Sequence, residues 1–292
     1  MKIIDGKAVA KKKKEEIAAV VAKMIDDEIR APHLAAVIVG EDPASMTYVR
    51  SKEKAAASVG ITSSVYRYPE TISEKELLEV IDFLNADEDV DGFIVQLPLP
   101  VHISSSKVIQ RIDPAKDVDG FHPLNTGRLV QNLPSYLPAT PFGILQLLEH
   151  YKIETEGKHC VIVGRSQIVG TPMSLLLSRK DKPGNCTVTL CHSQTKDLPS
   201  ITSQADILIA AIGKPEFITA GMVKQGAVVI DVGIHRIEDN DKGDYHLVGD
   251  VKFDEVASKT SFITPVPGGV GPMTIVGLLQ NTLKAAKKEI YK

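Results

Sequence analysis

Several features are scarce or absent in this sequence, and each absence removes a class of protein. There are only three cysteines in 292 residues, Cys160, Cys186 and Cys191. They show no C-x-x-C spacing and cannot all pair, which fits buried thiols in a reducing cytoplasm. The eight histidines are scattered without an H-E-x-x-H pattern, so no metal site is expected. No apolar run approaches the length of about 18 residues that a membrane-spanning helix needs. Met1-Lys2-Ile3-Ile4-Asp5 lacks the apolar core of a signal peptide. A net charge of −3 argues against a nucleic-acid partner, whose binding face would be basic. The one basic run, Lys11 to Lys14, lies in a helical pattern striped by Ile17, Val20, Val21, Met24 and Ile25. It reads as a solvated helix face.

What the chain does have is alternation. With 43% hydrophobic and 24% charged residues it is ordinary globular material, long enough for two domains. Helix patterns over 6–29, 42–58, 73–84 and 105–112 alternate with strand patterns over 34–40, 64–68 and 92–97. This βαβ order implies a mainly parallel sheet. Residues 113–141 are broken by Pro114, Pro123, Asn125-Thr126-Gly127, Pro134, Pro138 and Pro141, and read as a boundary and cleft wall. Beyond a bridging helix over 142–151, strands are expected at 159–163, 187–191, 206–211 and 227–232. Three of them are near-continuous apolar runs, which suit strands covered on both faces. A final helix, with Pro272 as its first residue, carries Met273, Val276, Leu279 and Leu283 at helical spacing and is expected to pack back on the first domain.

Within the second half, Cys160 to Pro172 reads as strand, tight turn and helix, the arrangement that offers backbone N–H groups to a phosphate. Ser166 stands where a G-x-G-x-x-G fingerprint has its middle glycine, so an ordinary βα turn remains the alternative. An NAD site would end its second strand in a carboxylate. Here that strand ends in Cys191-His192-Ser193-Gln194-Thr195, and Arg165 lies in the turn. A guanidinium with hydroxyls suits a 2′-phosphate, which favours NADP. A surface ion-pair arginine and a turn-forming serine are the competing readings.

In the first half, Tyr48 and Lys52 are spaced i, i+4 and share a helix face. Gln96 ends an apolar strand, where ligands of α/β folds bind. A lysine near a buried amide and a phenol is desolvated and becomes a usable base, though an exposed helix lysine is the commoner case. Asp117 and Asp119 flank Val118. They read less well as a cation pair than as one carboxylate that pairs with a ring amidine or amino group. Gly268, Gly269 and Gly271 offer N–H donors to an anion, or else form a hinge.

Taken together, these stretches resemble the bifunctional methylenetetrahydrofolate dehydrogenase/methenyltetrahydrofolate cyclohydrolase family. The matching segments are Val39 to Ser45 with Tyr48 and Lys52, Gln96 to Pro100, Pro114 to Phe121, Gly164 to Gly170, Thr187 to Thr195, Asp231 to Ile234, Gly249 to Val251 and Thr264 to Thr274. They run in the family's order over nearly the whole chain. The resemblance implies an α/β fold of two domains with a cleft between them. Residues 1–140, completed by the helix 272–292, would form a three-layer αβα folate-binding catalytic domain. Residues 141–271 would form a Rossmann NADP-binding domain. It implies oxidation of 5,10-methylenetetrahydrofolate with NADP⁺ and hydrolysis of the methenyl product to 10-formyltetrahydrofolate, in a cytoplasmic homodimer. It assigns Lys52 to the hydrolysis, Gln96 to orienting Lys52, Tyr48 to lining the folate ring system and Asp119 to gripping the pterin. Leu97, Pro265, Gly268 and Gly269 would line the folate pocket. Gly164, Arg165, Ser166, Ser193 and Ile234 would hold NADP. One departure is Ala139, where many members carry cysteine. A dehydrogenase without cyclohydrolase activity, a non-catalytic nucleotide sensor and an amino-acid dehydrogenase are the competing classes. Lys52 and Gln96 weigh against the first, and the Lys-Gln-Asp-Tyr set against the second.

Overall fold

The structure is a computed structural model and describes residues 1–238 and 245–291, the side chain of Ala44 excepted. The chain opens with β1 (Lys2–Ile3), α1 (Gly6–Asp26), β2 (His33–Val39), α2 (Pro43–Ser58) and β3 (Thr62–Tyr68). Next come α3 (Glu74–Ala86), β4 (Gly92–Val95), α4 (Ser105–Arg111), α5 (Pro123–Val130) and α6 (Ala139–His150). The second half holds β5 (His159–Val163), α7 (Gly170–Ser178), β6 (Thr187–Cys191), α8 (Leu198–Thr202), β7 (Ile207–Ala210) and β8 (Val228–Asp231). It ends with β9 (His235–Glu238), β10 (Tyr245–Val248), α9 (Phe253–Val256), β11 (Phe262–Ile263) and α10 (Val270–Ala286). Among the described residues no helix is long and apolar enough to cross a membrane.

These elements form two compact units, Lys11–Ala139 with Ile275–Lys292 and Met1–Ala10 with Thr140–Thr274. The first is built on a three-stranded parallel sheet of order β3-β2-β4. Its central strand is buried from Leu34 to Val39, as an apolar strand covered on both faces must be. Val37, Leu77, Ile81, Leu84 and Phe93 form its core. Helix α2 starts where it does because Asp42 accepts the Ser45 N–H at 2.7 Å and Pro43 needs no amide partner. Ser73 and Glu76 form a reciprocal capping box at the start of α3.

The second unit has a six-stranded parallel sheet of order β1-β11-β8-β7-β5-β6. The chain leaves β5 for β6 on one side and returns to β7 on the other. That reversal is the switch point where open α/β sheets bind ligands, beyond the carboxyl ends of the strands.

Four expectations need correction. Residues 1–10 belong with the six-stranded sheet rather than the first domain, because β1 pairs with β11 (Ile3 opposite Ile263). A two-residue strand has no periodicity to read. The segment 113–141 holds a regular element after all, α5, with Pro123 in its first turn and the His122 ring accepting the Leu124 N–H at 3.0 Å. Pro272 is the third helical residue, not the first, since α10 begins at Val270. It still falls among the first N–H groups that have no helical partner. Strand β4 ends at Val95, so Gln96 and Leu97 lie just beyond it.

Candidate active site

In the three-stranded unit, strand register sets the site. Val37 is paired with Val95, and the Gln96 N–H donates to the Val37 carbonyl at 2.9 Å. Gln96 therefore leaves the sheet at the carboxyl end, where β2 has just fed α2. Lys52, on that helix, donates from Nζ to Gln96 Oε1 at 3.0 Å. The Gln96 amide cannot usefully turn over, because its Nε2 donates to the Leu97 carbonyl at 2.7 Å. Burial lowers the Lys52 pKa, opposed by the charge of Asp119. Burial raises the Asp119 pKa, opposed in turn by Lys52. Tyr48, one turn earlier on α2, is half-buried and its phenol is also raised by burial. The structure thus brings Lys52 and Gln96 into direct contact and places Asp119 within their electrostatic reach.

The two loop carboxylates separate in role. Asp117 is 1% exposed and accepts from Phe121 N at 3.1 Å, His122 N at 2.7 Å and Asn125 Nδ2 at 2.9 Å. Desolvation nonetheless pushes its pKa up to about 7. With both oxygens taken by donors from its own loop, Asp117 builds the turn that Asp119 sits in.

In the six-stranded unit, Val163, Cys191 and Ala210 are level across β6, β5 and β7, and Asp231 of β8 lies opposite Ala210. Arg165 and Ser193 each follow their strand by two residues and Ile234 follows β8 by three, so all three lie at the same sheet end. Gly164 has φ +121°, and a Cβ there would collide with the Ala211 carbonyl oxygen. A Cβ on Gly170 would collide with the Gly164 carbonyl oxygen. These glycines let the tight turn and the start of α7 pack directly on neighbouring backbone, two of the uses the fingerprint makes of glycine. Ser166 is no defect in it, since its Oγ accepts the Val169 N–H at 3.2 Å and closes the turn. The Arg165 side chain is exposed and makes no hydrogen bond or ion pair among the described residues, while its carbonyl accepts from Thr171 Oγ1 at 3.2 Å; Ser193 is exposed as well. An exposed guanidinium and hydroxyl at this sheet end have the chemistry to meet a 2′-phosphate.

The glycine corner before α10 is partly engaged within the protein itself. The Gly269 N–H donates to the Pro265 carbonyl at 2.8 Å, so it is not free for an anion. The Gly268 carbonyl accepts from Lys7 N at 3.1 Å, and a Cβ on Gly6 would collide with the Gly269 oxygen. These contacts hold the corner against the start of α1.

Residue reading missed one buried pair. Asp231 accepts from Gly233 N at 3.0 Å, Asp250 N at 2.9 Å and Val251 N at 2.9 Å. Desolvation raises its pKa to about 6. Asp250, fully buried, accepts from Ile212 N at 2.6 Å, Gly213 N at 3.1 Å and Lys214 N at 2.9 Å, and lies 2.8 Å from His235 Nε2. Gly233 packs against Asp250 and Gly249 against Asp231 with no room for a Cβ on either. The signal was present as two D/G clusters, Asp231-Val232-Gly233 and Gly249-Asp250-Val251, whose interlock only the fold reveals.

Comparison with known proteins places this geometry. Family models for tetrahydrofolate dehydrogenase/cyclohydrolase match residues 4–119 (the catalytic domain) and 138–290 (the NAD(P)-binding domain). The bifunctional protein FolD of Cytophaga hutchinsonii is 60% identical over 287 residues, covering 98% of this chain and 99% of that protein. The crystal structure of the bifunctional enzyme FolD, a methylenetetrahydrofolate dehydrogenase/cyclohydrolase, from Campylobacter jejuni has a TM-score of 0.92 at 48% identity, covering 99% of both chains. The Trypanosoma brucei methylenetetrahydrofolate dehydrogenase-cyclohydrolase, solved with NADP and an inhibitor, has a TM-score of 0.92 at 38% identity, covering 99% of this chain and 98% of that one. The chain belongs to the tetrahydrofolate dehydrogenase/cyclohydrolase family.

Proposed function

We infer that Lys52, Gln96, Asp119 and Tyr48 carry the one-carbon chemistry of this enzyme, and that Gly164, Arg165, Ser166, Ser193 and Ile234 hold its NADP. The protein is a bifunctional dehydrogenase and cyclohydrolase. It oxidises 5,10-methylenetetrahydrofolate to the 5,10-methenyl cation and hydrolyses that cation to 10-formyltetrahydrofolate. The observation that carries the residue assignment is the 3.0 Å contact between Lys52 Nζ and Gln96 Oε1.

Bound NADP⁺ supplies the hydride acceptor. Hydride loss leaves a cation shared by two nitrogens, so the first step needs positioning more than proton transfer. Asp119 supplies it by accepting hydrogen bonds from the pterin amino and ring N–H groups, and Tyr48 lines the ring system. In the second step water adds to the methenyl carbon and loses a proton, which a neutral Lys52 amine takes. One C–N bond then breaks as the hydroxyl becomes the formyl carbonyl and gives up its proton to solvent, and the freed nitrogen receives the proton Lys52 returns. Burial favours the neutral amine, which does not repel the cation as an ammonium would. Gln96 presents only its oxygen to Lys52 and keeps the amine directed.

We assign the active form to a cytoplasmic homodimer. Family resemblance supports the dimer, and three buried, unpaired thiols support the reducing compartment. Sedimentation at equilibrium checks the dimer, and a monomer mass overturns it.

An absorbance assay tests the function. Methylenetetrahydrofolate with NADP⁺ is expected to yield NADPH and then 10-formyltetrahydrofolate, and no NADPH would refute it. Arg165→Ala is expected to raise the KM for NADP⁺ about tenfold, the worth of one charge-assisted hydrogen bond, and to change that for NAD⁺ far less. Equal losses for both would remove Arg165 from the 2′-phosphate.

A further inference from the structure

We propose that Asn281, on the C-terminal helix α10, is a positioning residue for the folate substrate, acting by fixing the loop that presents Asp119. The proposal rests on the assignment of Asp119 to the substrate. Asn281 is fully buried. Its Nδ2 donates to two carbonyls, Val118 O at 2.8 Å and Leu137 O at 2.8 Å. Its Oδ1 has no hydrogen-bond partner among the described residues. A buried acceptor left unpaired opposes folding. An apolar side chain would avoid that cost, so the donor half of the amide is what the site uses.

The two carbonyls are the two walls of the Asp119 loop. Val118 immediately precedes Asp119, and its side chain fills the space a Cβ on Gly92 would need. Gly120 immediately follows, with φ +73°, and a Cβ there would lie 2.7 Å from the Leu137 carbonyl carbon. Asp119 is therefore flanked by one residue packed on β4 and one packed on residues 136–138. Asn281 is the side chain that ties those two supports together. Asp117 holds the same turn from within, through the Phe121 and His122 amides and Asn125. The Asn125 Oδ1 in turn accepts from Tyr291 Oη at 2.7 Å, so the C-terminal segment grips this loop at a second point. Side chains one residue from a carbonyl anchor inherit its direction, so the two bonds from Asn281 fix where the Asp119 carboxylate points.

Removing them in Asn281→Ala is expected to raise the KM for methylenetetrahydrofolate and for methenyltetrahydrofolate by about tenfold with kcat little changed, as loss of uniform substrate binding does. The dissociation constant for NADP is expected to stay at the wild-type value. The test compares wild type, Asn281→Ala, Asp119→Ala and the double variant, and a purely structural role would not produce the expected coupling. If Asn281 acts through Asp119, its effect on KM disappears in the Asp119→Ala background. Asn281→Ser, which keeps one donor, replaces Asn281→Ala if the latter does not fold, and is expected to give an intermediate KM. Full additivity in the double variant, or an unchanged KM in Asn281→Ala (or in Asn281→Ser, where that variant replaces it) beside a raised one in Asp119→Ala, overturns the proposal. An unchanged KM in Asp119→Ala itself shows instead that the assignment of Asp119 is wrong, and the role of Asn281 falls with it.

Discussion

Lys52→Met is expected to slow hydrolysis of methenyltetrahydrofolate by about 10²–10⁴-fold, the range a positioned proton-transfer group supplies. Binding of NADP is expected to be unchanged, since the cofactor residues lie in the six-stranded unit. The pH dependence follows from the same group. Burial lowers the Lys52 pKa and Asp119 partly restores it. The neutral amine therefore accumulates below the usual lysine range, and wild-type hydrolysis rises with pH through that lowered value. Asp119→Asn removes the restoring charge and is expected to move the rising limb to lower pH. Stability moves with the same lysine. A lysine whose folded pKa is depressed binds more protons unfolded than folded, between its lowered value and the ordinary one. Its contribution is unfavourable at low pH and fades as pH rises through that window. Methionine removes this penalty, so Lys52→Met is expected to unfold at the same or a higher denaturant concentration than wild type at neutral pH. A variant that is inactive and also markedly less stable would point to a structural lysine.

Asp250→Ala is expected to cost about 3 kcal/mol, because it removes a fully buried carboxylate that several part-buried donors share, and hydrogen bonds to a charged group contribute about 1.5–3 kcal/mol each. Those donors are the Ile212, Gly213 and Lys214 amides and the His235 ring. They belong to the loop after β7 and the strand that follows Ile234, so NADP affinity is expected to fall as well, by about tenfold or more. Asp250→Asn keeps one acceptor but aims an N–H₂ at other donors, and is expected to fall between wild type and alanine. Denaturant unfolding followed by cofactor titration checks both effects. An unchanged unfolding midpoint in Asp250→Ala would mean the surrounding amides find other partners.

The parts of the site that were readable before the fold share a property. Tyr48 and Lys52 lie on one helix, where i, i+4 spacing alone puts them on one face. Gly164 and Gly170 lie in one turn, where a missing Cβ has a local meaning. Gln96 was readable as a strand end because Pro98 follows it. What was not readable joins residues distant in sequence through single hydrogen bonds. Asn281 reaches Val118, and Asp250 reaches Ile212. Buried polar side chains of this kind carry no periodicity. An Asn in the apolar stripe of α10 looks like a blemish until the two carbonyls opposite it are known. The helix α5 was hidden for the opposite reason. Its Pro and Gly are breakers in mid-helix, but Pro123 sits in the first turn, where no amide partner is lost.

By itself the sequence determined the alternation of strands and helices, the parallel sheets and the nucleotide turn. These follow from side-chain period and from glycine and proline chemistry, which act over a few residues. It also placed Lys52 on a helix face and Gln96 at a strand end. Only the tertiary structure decided that their polar atoms lie 3.0 Å apart, that Asp119 opposes the lowering of the Lys52 pKa, and that Asp117 commits both carboxylate oxygens to neighbouring donors. Those outcomes depend on desolvation and on the meeting of distant carbonyls and carboxylates. Both are properties of what surrounds an atom in space, and neither is written in the order of its neighbours along the chain.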